Sequence, residues 1–151
     1  MDYWTDEDVI EDVRVLDFQK TSSIVLTQYT ETGVNRRDFG INAELTQEIE
    51  DLHDLQDNWD EEGAIAPSEG VVETAIALVT FLGAFGQAVY NVGPGPKGEV
   101  LVDLRNEDHS KSLEFLFYND RSVVVKFFNN EGTQEIFDVK NLFELLQWLN
   151  G

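Results

Sequence analysis

From Ile41 onward, the apolar residues Ile41, Leu45, Ile49, Leu52, Leu55 and Trp59 recur at steps of three and four. Plotted at about 100° per residue they fall within an arc of about 120°, the pattern of an amphipathic helix. The spacing predicts a helix from Asn42 to about Asp57. Glu44, Glu50, Asp51, Asp54 and Asp57 lie on its other side, with Glu48 at the edge of the apolar arc. A second helix is predicted from about Ser68 to Gly83, because Pro67 and Ser68 are good start signals. In it Val71, Val72, Ala75, Ile76, Leu78, Val79 and Leu82 cover most of the circumference, as expected of a central buried helix.

Elsewhere the pattern alternates. Val100, Val102 and Leu104, then Leu113, Phe115 and Phe117, then Val123, Val125 and Phe127, then Ile136 to Val139 read as strands. Asn106 to His109, Asn119-Asp120 and Asn129 to Gly132 separate them as turn-forming clusters. Gly93-Pro94-Gly95-Pro96 breaks the chain ahead of this meander. Residues 13–29 read as two short strands joined near Gln19-Lys20-Thr21. Leu142, Leu145, Leu146, Trp148 and Leu149 close the chain as a short amphipathic helix. The fold expected is α+β: a C-terminal antiparallel meander of about four strands plus an N-terminal hairpin, packed against two central helices and a short C-terminal helix.

Composition narrows the classes. The 151 residues carry 30 Asp plus Glu against 10 Lys plus Arg, a formal net charge of −20, and no cysteine. That length suits one acidic domain over residues 1–151, with residues 1–12 read as an acidic tail. The missing cysteine removes disulfides, thiolate nucleophiles and cysteine-based metal sites. A hydrophobic fraction of 42% supports a packed core despite the charge. The N-terminus lacks the basic start and apolar run of a secretory signal, and the longest apolar stretch, Val71 to Phe85, is too short to span a bilayer. A cytoplasmic location is the expectation. Direct binding to nucleic acid or membrane is not expected, since the only basic pair is Arg36-Arg37.

Asp57-Asn58-Trp59-Asp60-Glu61-Glu62-Gly63-Ala64-Ile65-Ala66-Pro67-Ser68, a following helix with Ala75, and the later run Val92 to Val100 with its Gly93-Pro94-Gly95-Pro96 stand out as motifs. Together they resemble a diffuse group of small bacterial and phage proteins with a Trp-Asp-Gly-x-Gly-Ala-x-x-Pro motif, a helix, a Pro/Gly segment and an antiparallel sheet. The resemblance covers about residues 45–128 and implies an α+β fold, with no activity to carry over. Glu61 stands where that group has glycine, and Leu104 where a strand tryptophan is common. Read physically, Trp59 extends the apolar face of the first helix and could plug the helix junction. Gly63 permits a left-handed turn, and Asp60 can accept backbone N–H bonds within it.

Catalytic chemistry finds few candidates. His53 and His109 are the only histidines, and no nucleophile elbow or phosphate-cradling loop occurs. His53 reads as a solvated helix residue and His109 as a turn residue. No enzyme activity and no cofactor are expected. Residues 58–69 align with a degenerate EF-hand loop, with Asn58, Asp60 and Glu62 at its first, third and fifth positions, Gly63 at its glycine and Glu69 at its twelfth. A calcium-binding module is therefore the alternative function, although Asn58 replaces Asp, Glu62 is oversized and Pro67 lies inside the loop.

The strongest signal is the distribution of charge. Between Asp38 and Pro96 there is no Lys or Arg. Net charge alone speaks to solubility, and an acidic protein of unrelated housekeeping function is the plain reading. Segregated charge is more pointed. Glu50, Asp51, Asp54, Asp57, Asp60, Glu61 and Glu62 form a carboxylate stripe able to imitate spaced phosphates or dock on a basic groove. This predicts a basic protein partner such as a nuclease, toxin or defence effector, held by an inhibitor of antitoxin, immunity-protein or phage anti-defence type.

Overall fold

The computed structural model describes residues 41–151. The hairpin expected over 13–29 and the acidic tail over 1–12 lie outside the described residues. Within them the chain forms α1 (Ala43–Glu50), a 3₁₀ turn (Asp51–Asp54), α2 (Glu69–Ala84), β1 (Asn91–Pro94), β2 (Val100–Arg105), β3 (Lys111–Phe117), β4 (Ser122–Phe128), β5 (Glu131–Ile136), a second 3₁₀ turn (Val139–Asn141) and α3 (Leu142–Asn150). The architecture is α+β, with helices packed on one face of an antiparallel meander in the order β1-β2-β3-β4-β5.

The first helix is shorter than its apolar period. The chain tightens at Asp51 and turns extended at Leu55 (φ −70°, ψ 145°). From there Asp57, Asn58 and Asp60 bind nearby backbone with their side chains, which competes with helix continuation. Ile49 is fully buried, whereas Leu45 and Leu52 pack only partly against the core and Ile41 is exposed. Asn42 precedes α1 but makes no side-chain cap, because its amide is used elsewhere. Its Nδ2 donates to the carbonyls of Val79 (3.2 Å) and Gln87 (3.1 Å), and its Oδ1 accepts from the Val89 N–H (3.0 Å). At 2% exposure, this one residue clamps the start of α1 to the end of α2 and to the approach to β1.

The second helix keeps its predicted start. Ser68 accepts the Val71 N–H with its hydroxyl, and nine of the sixteen residues of α2 are buried. They meet a sheet face fixed by the register. Val92, Val102, Phe115 and Val124 form one row across it, and Leu104 and Leu113 lie opposite one another in the next. Phe137 closes edge-to-face on Phe115 at 4.8 Å.

Two strand readings change, and in β4, which the sequence places correctly, the register sets the faces. Gly93-Pro94 belongs to β1, which tolerates proline because it is an edge strand. Val123, Val125 and Phe127 point away from the helices, since β4 places Val124 and Lys126 on the core side. Lys126 survives there because its ammonium lies 4.9 Å from the centre of the Trp148 ring on α3. Lys111 Nζ joins it, 5.4 Å from the same ring and 3.0 Å from the Trp148 carbonyl in the last turn of α3, where a cation suits the helix dipole. The last strand spans Glu131–Ile136 rather than beginning at Ile136. Its Asn129-Asn130 turn has both residues at positive φ (51° and 71°), as a two-residue hairpin requires.

Candidate functional site

The seven carboxylates expected to form a stripe follow one another from the end of α1 through the 3₁₀ turn into the loop before α2, and so do not share one helix face. Their roles divide. Asp51 Oδ1 accepts from Gln47 Nε2 at 3.0 Å, and Glu50 lies 4.0 Å from His53 Nε2. His53 also reaches Glu73 on α2 at 3.2 Å, so it bridges two helical segments instead of standing free in solvent. Asp54, Glu61 and Glu62 are exposed and accept no side-chain hydrogen bond among the described residues.

Asp57 and Asp60 hold the loop itself. Asp57 Oδ1 accepts the Ala66 N–H, and Asp60 Oδ1 accepts those of Glu62 and Ala64. The bonds from Ala64 and Glu62 hold the Asp60 carboxyl below its ordinary range. Asn58 Oδ1 accepts from Gly63 at 2.7 Å, while the Asn58 N–H donates to the Ala64 carbonyl. Of the oxygens that a calcium loop would offer there, Asn58 Oδ1 and Asp60 Oδ1 are thus bonded to the backbone, and Asp60 Oδ2 accepts no hydrogen bond among the described residues. Trp59 also serves its own loop: it is half-buried and donates Nε1 to the Ile65 carbonyl, outside the hydrophobic core. Ile65 N–H then donates to the Pro96 carbonyl at 2.9 Å, so the two motif segments read separately in the sequence dock on each other.

Glu61 has φ +64°, a conformation that glycine adopts without steric cost. Glu61→Gly is expected to stabilise the fold by about 0.5–1 kcal/mol, the left-handed penalty of about 1–2 kcal/mol per residue outweighing the added chain entropy. Thermal unfolding checks it; a lower Tm would mean that the Glu61 side chain contributes packing that outweighs its backbone strain.

A second cluster escaped the sequence reading. On the sheet face away from the helices, the register sets Asp103 beside Glu114 and Arg105 beside Ser112. Asp103 is only 4% exposed; its Oδ2 takes a 3.2 Å bond from Arg105 Nη2, while Oδ1 has no hydrogen-bond partner among the described residues. Burial pushes the Asp103 carboxyl up, against the pull of Arg105 and His109. Burial and then the charge of Asp103 push Glu114 up as well. Arg105 is stacked on Tyr90, its guanidinium carbon 3.8 Å from the ring centre, and Tyr90 meets His109 edge-on at 5.5 Å. His109 does lie in a turn, at φ 62°. Arg105, His109, Ser112, Glu114, Phe127 and Asn130 surround an open depression of about 230 Å³. An acid within Val-Leu-Val-Asp-Leu-Arg and another within Leu-Glu-Phe were visible signals of this face, but only the register pairs them.

Among the described residues, no group of three or more His, Asp or Glu is arranged to hold a metal ion, and no helix is long and apolar enough to cross a membrane. Comparison with protein-family models, curated proteins and solved structures finds no match for this chain.

Proposed function

We propose that this chain works by binding rather than catalysis, as a small cytoplasmic acidic protein that docks on and neutralises a basic protein partner. A nuclease, toxin or defence effector has the required surface, and an antitoxin, an immunity protein or a phage inhibitor imitating nucleic acid is the corresponding role. The observation that carries the reading is the segment from Asp38 to Pro96, which has no Lys or Arg and exposes Asp54, Glu61 and Glu62, whose carboxylates have no hydrogen bond or ion pair among the described residues. Carboxylates not committed internally steer a cationic surface from a distance and pair with it on contact. Asp57 and Asp60 act differently in this reading, holding the loop that presents their neighbours.

The test is capture of binding proteins from a host or phage-infected lysate, washed at low and then high salt. A stoichiometric basic protein released by salt is expected. The combined variant Asp54→Asn, Glu61→Gln, Glu62→Gln should slow its association about tenfold, as removal of steering charges does, with the fold intact. An unchanged association rate would remove this segment from the interface.

A further inference from the structure

We propose that β5 takes an extended, cationic segment of another polypeptide as a sixth strand, with lysine or arginine side chains laid against Glu131 and Glu135. The inference goes beyond the partner reading, since it uses none of the carboxylates of residues 50–62 and commits to a different mode of recognition, strand addition.

The first argument is the difference between the two edges of the sheet. β1 is four residues long and contains Pro94, which has no N–H to offer a further strand, so that edge is blunted. β5 is six residues long, contains no proline and is exposed throughout. The Phe137 N–H donates to the Ser122 carbonyl, and the antiparallel register then turns the N–H and C=O groups of Glu131, Thr133 and Glu135 toward β4. Those of Gly132, Gln134 and Ile136 face outward, and no described residue bonds to them. They form a row of donors and acceptors at the spacing that another strand requires.

The second argument is charge, which selects the occupant. Glu131, Thr133 and Glu135 share one strand face, where the two glutamates stand opposite Phe128 and Val124 and have no ion pair among the described residues. Lys126, opposite Thr133, is the cation between them, and its ammonium lies 4.9 Å from the Trp148 ring centre. A second copy of this chain would bring its own Glu131 and Glu135 to that face, with a formal charge of −20 on each molecule, so like charges oppose self-pairing. A cationic strand meets no such penalty. The other strand face suits aliphatic side chains. A Cβ on Gly132 would meet the Phe127 ring at 2.6 Å, so the glycine lets that ring lie over the edge, and Ile136 is 66% exposed beyond Gln134. The fitting segment therefore alternates cationic or polar residues with β-branched ones, which pair well with an aromatic ring across strands.

The experiment is a titration of the full chain with the blocked peptide acetyl-Lys-Val-Thr-Val-Lys-amide, followed by amide chemical shifts and hydrogen exchange. Antiparallel pairing sets its lysines opposite Glu131 and Glu135 and its valines opposite Gly132 and Gln134, where they meet the outward-facing backbone groups. Saturable shifts centred on residues 131–136, with slowed exchange at the Gly132 and Gln134 amides, are expected. The same peptide with N-methylated valines, and the peptide with glutamate in place of lysine, should not bind. Glu131→Gln with Glu135→Gln should weaken binding about fivefold, as loss of two cross-strand charge pairs does. Gln134→Pro, whose lost N–H points away from β4, should abolish binding with the fold kept, and the paired glutamine variant decides alone if the proline variant does not fold. Glu61→Gln with Glu62→Gln should leave the affinity unchanged. Protection of the Gly132 and Gln134 amides in the free chain, binding that survives N-methylation, equal binding of the glutamate peptide, or an affinity indifferent to the loss of Glu131 and Glu135 would overturn the proposal. None of these results bears on the lysate capture, so the two readings fail separately.

Discussion

Replacing Asn42 by Asp is expected to destabilise the protein by about 3–5 kcal/mol near neutral pH, the scale set by an uncompensated buried charge. The native amide donates to two backbone carbonyls and accepts one N–H at a residue 2% exposed. A carboxylate keeps the acceptor but turns its second oxygen on the Val79 and Gln87 carbonyls, with no proton to offer them. Burial and those carbonyls would raise its pKa in the folded state above the unfolded value. The variant should therefore regain stability as pH falls through that raised pKa, when the neutral acid can donate to one carbonyl. Urea unfolding at neutral and mildly acidic pH measures both parts. A loss below about 1 kcal/mol at neutral pH would mean that the clamp can open without cost, since net stabilities of domains are only about 5–15 kcal/mol.

Phe115→Ala is expected to cost about 3–5 kcal/mol by lost burial and the cavity left behind. Phe115 is fully buried in the central strand of the sheet, stacked at 6.4 Å from Phe117 and edge-on at 4.8 Å from Phe137. Few neighbours can relax into the space, because Val102 and Val124 flank it from paired strands whose register is fixed. Equilibrium denaturation gives the number. A cost near 1 kcal/mol would mean that Phe137, which approaches from the segment after β5, collapses into the gap.

The helices and central hairpins were legible because their period is written in apolar residues. α2 begins where Pro67 and Ser68 say it should, and β2 and β3 keep Val100, Val102, Leu104, Leu113, Phe115 and Phe117 on the core face. β5 was not legible, since all six of its residues are exposed and an edge strand needs no alternation. β1 was hidden by the Gly-Pro signature, which excludes a central strand but not an edge. The end of α1 was misplaced because the apolar period continues through Leu52, Leu55 and Trp59 while local side-chain bonds have already redirected the backbone.

At the candidate sites the same division holds. The acidity of residues 50–62 is plain in the sequence, yet which carboxylates shape the loop and which face solvent depends on hydrogen bonds such as Asp60 to Ala64. The pairing of Asp103 with Glu114 depends on strand register, which turns set and composition does not record.

Each strand in this sheet pairs with the strand preceding it in sequence, joined by short turns such as Asn129-Asn130. The sheet can therefore assemble hairpin by hairpin with small losses of chain freedom, a topology associated with rapid folding. The contacts of Asn42 are different in kind, reaching a residue 47 positions away at Val89. Closing that long loop depends on α2 and the start of the sheet being in place. The order of events this implies is a sheet that zips early and a first helix that latches last, so that the acidic segment beyond α1 becomes fixed in space only when the rest of the domain is already built.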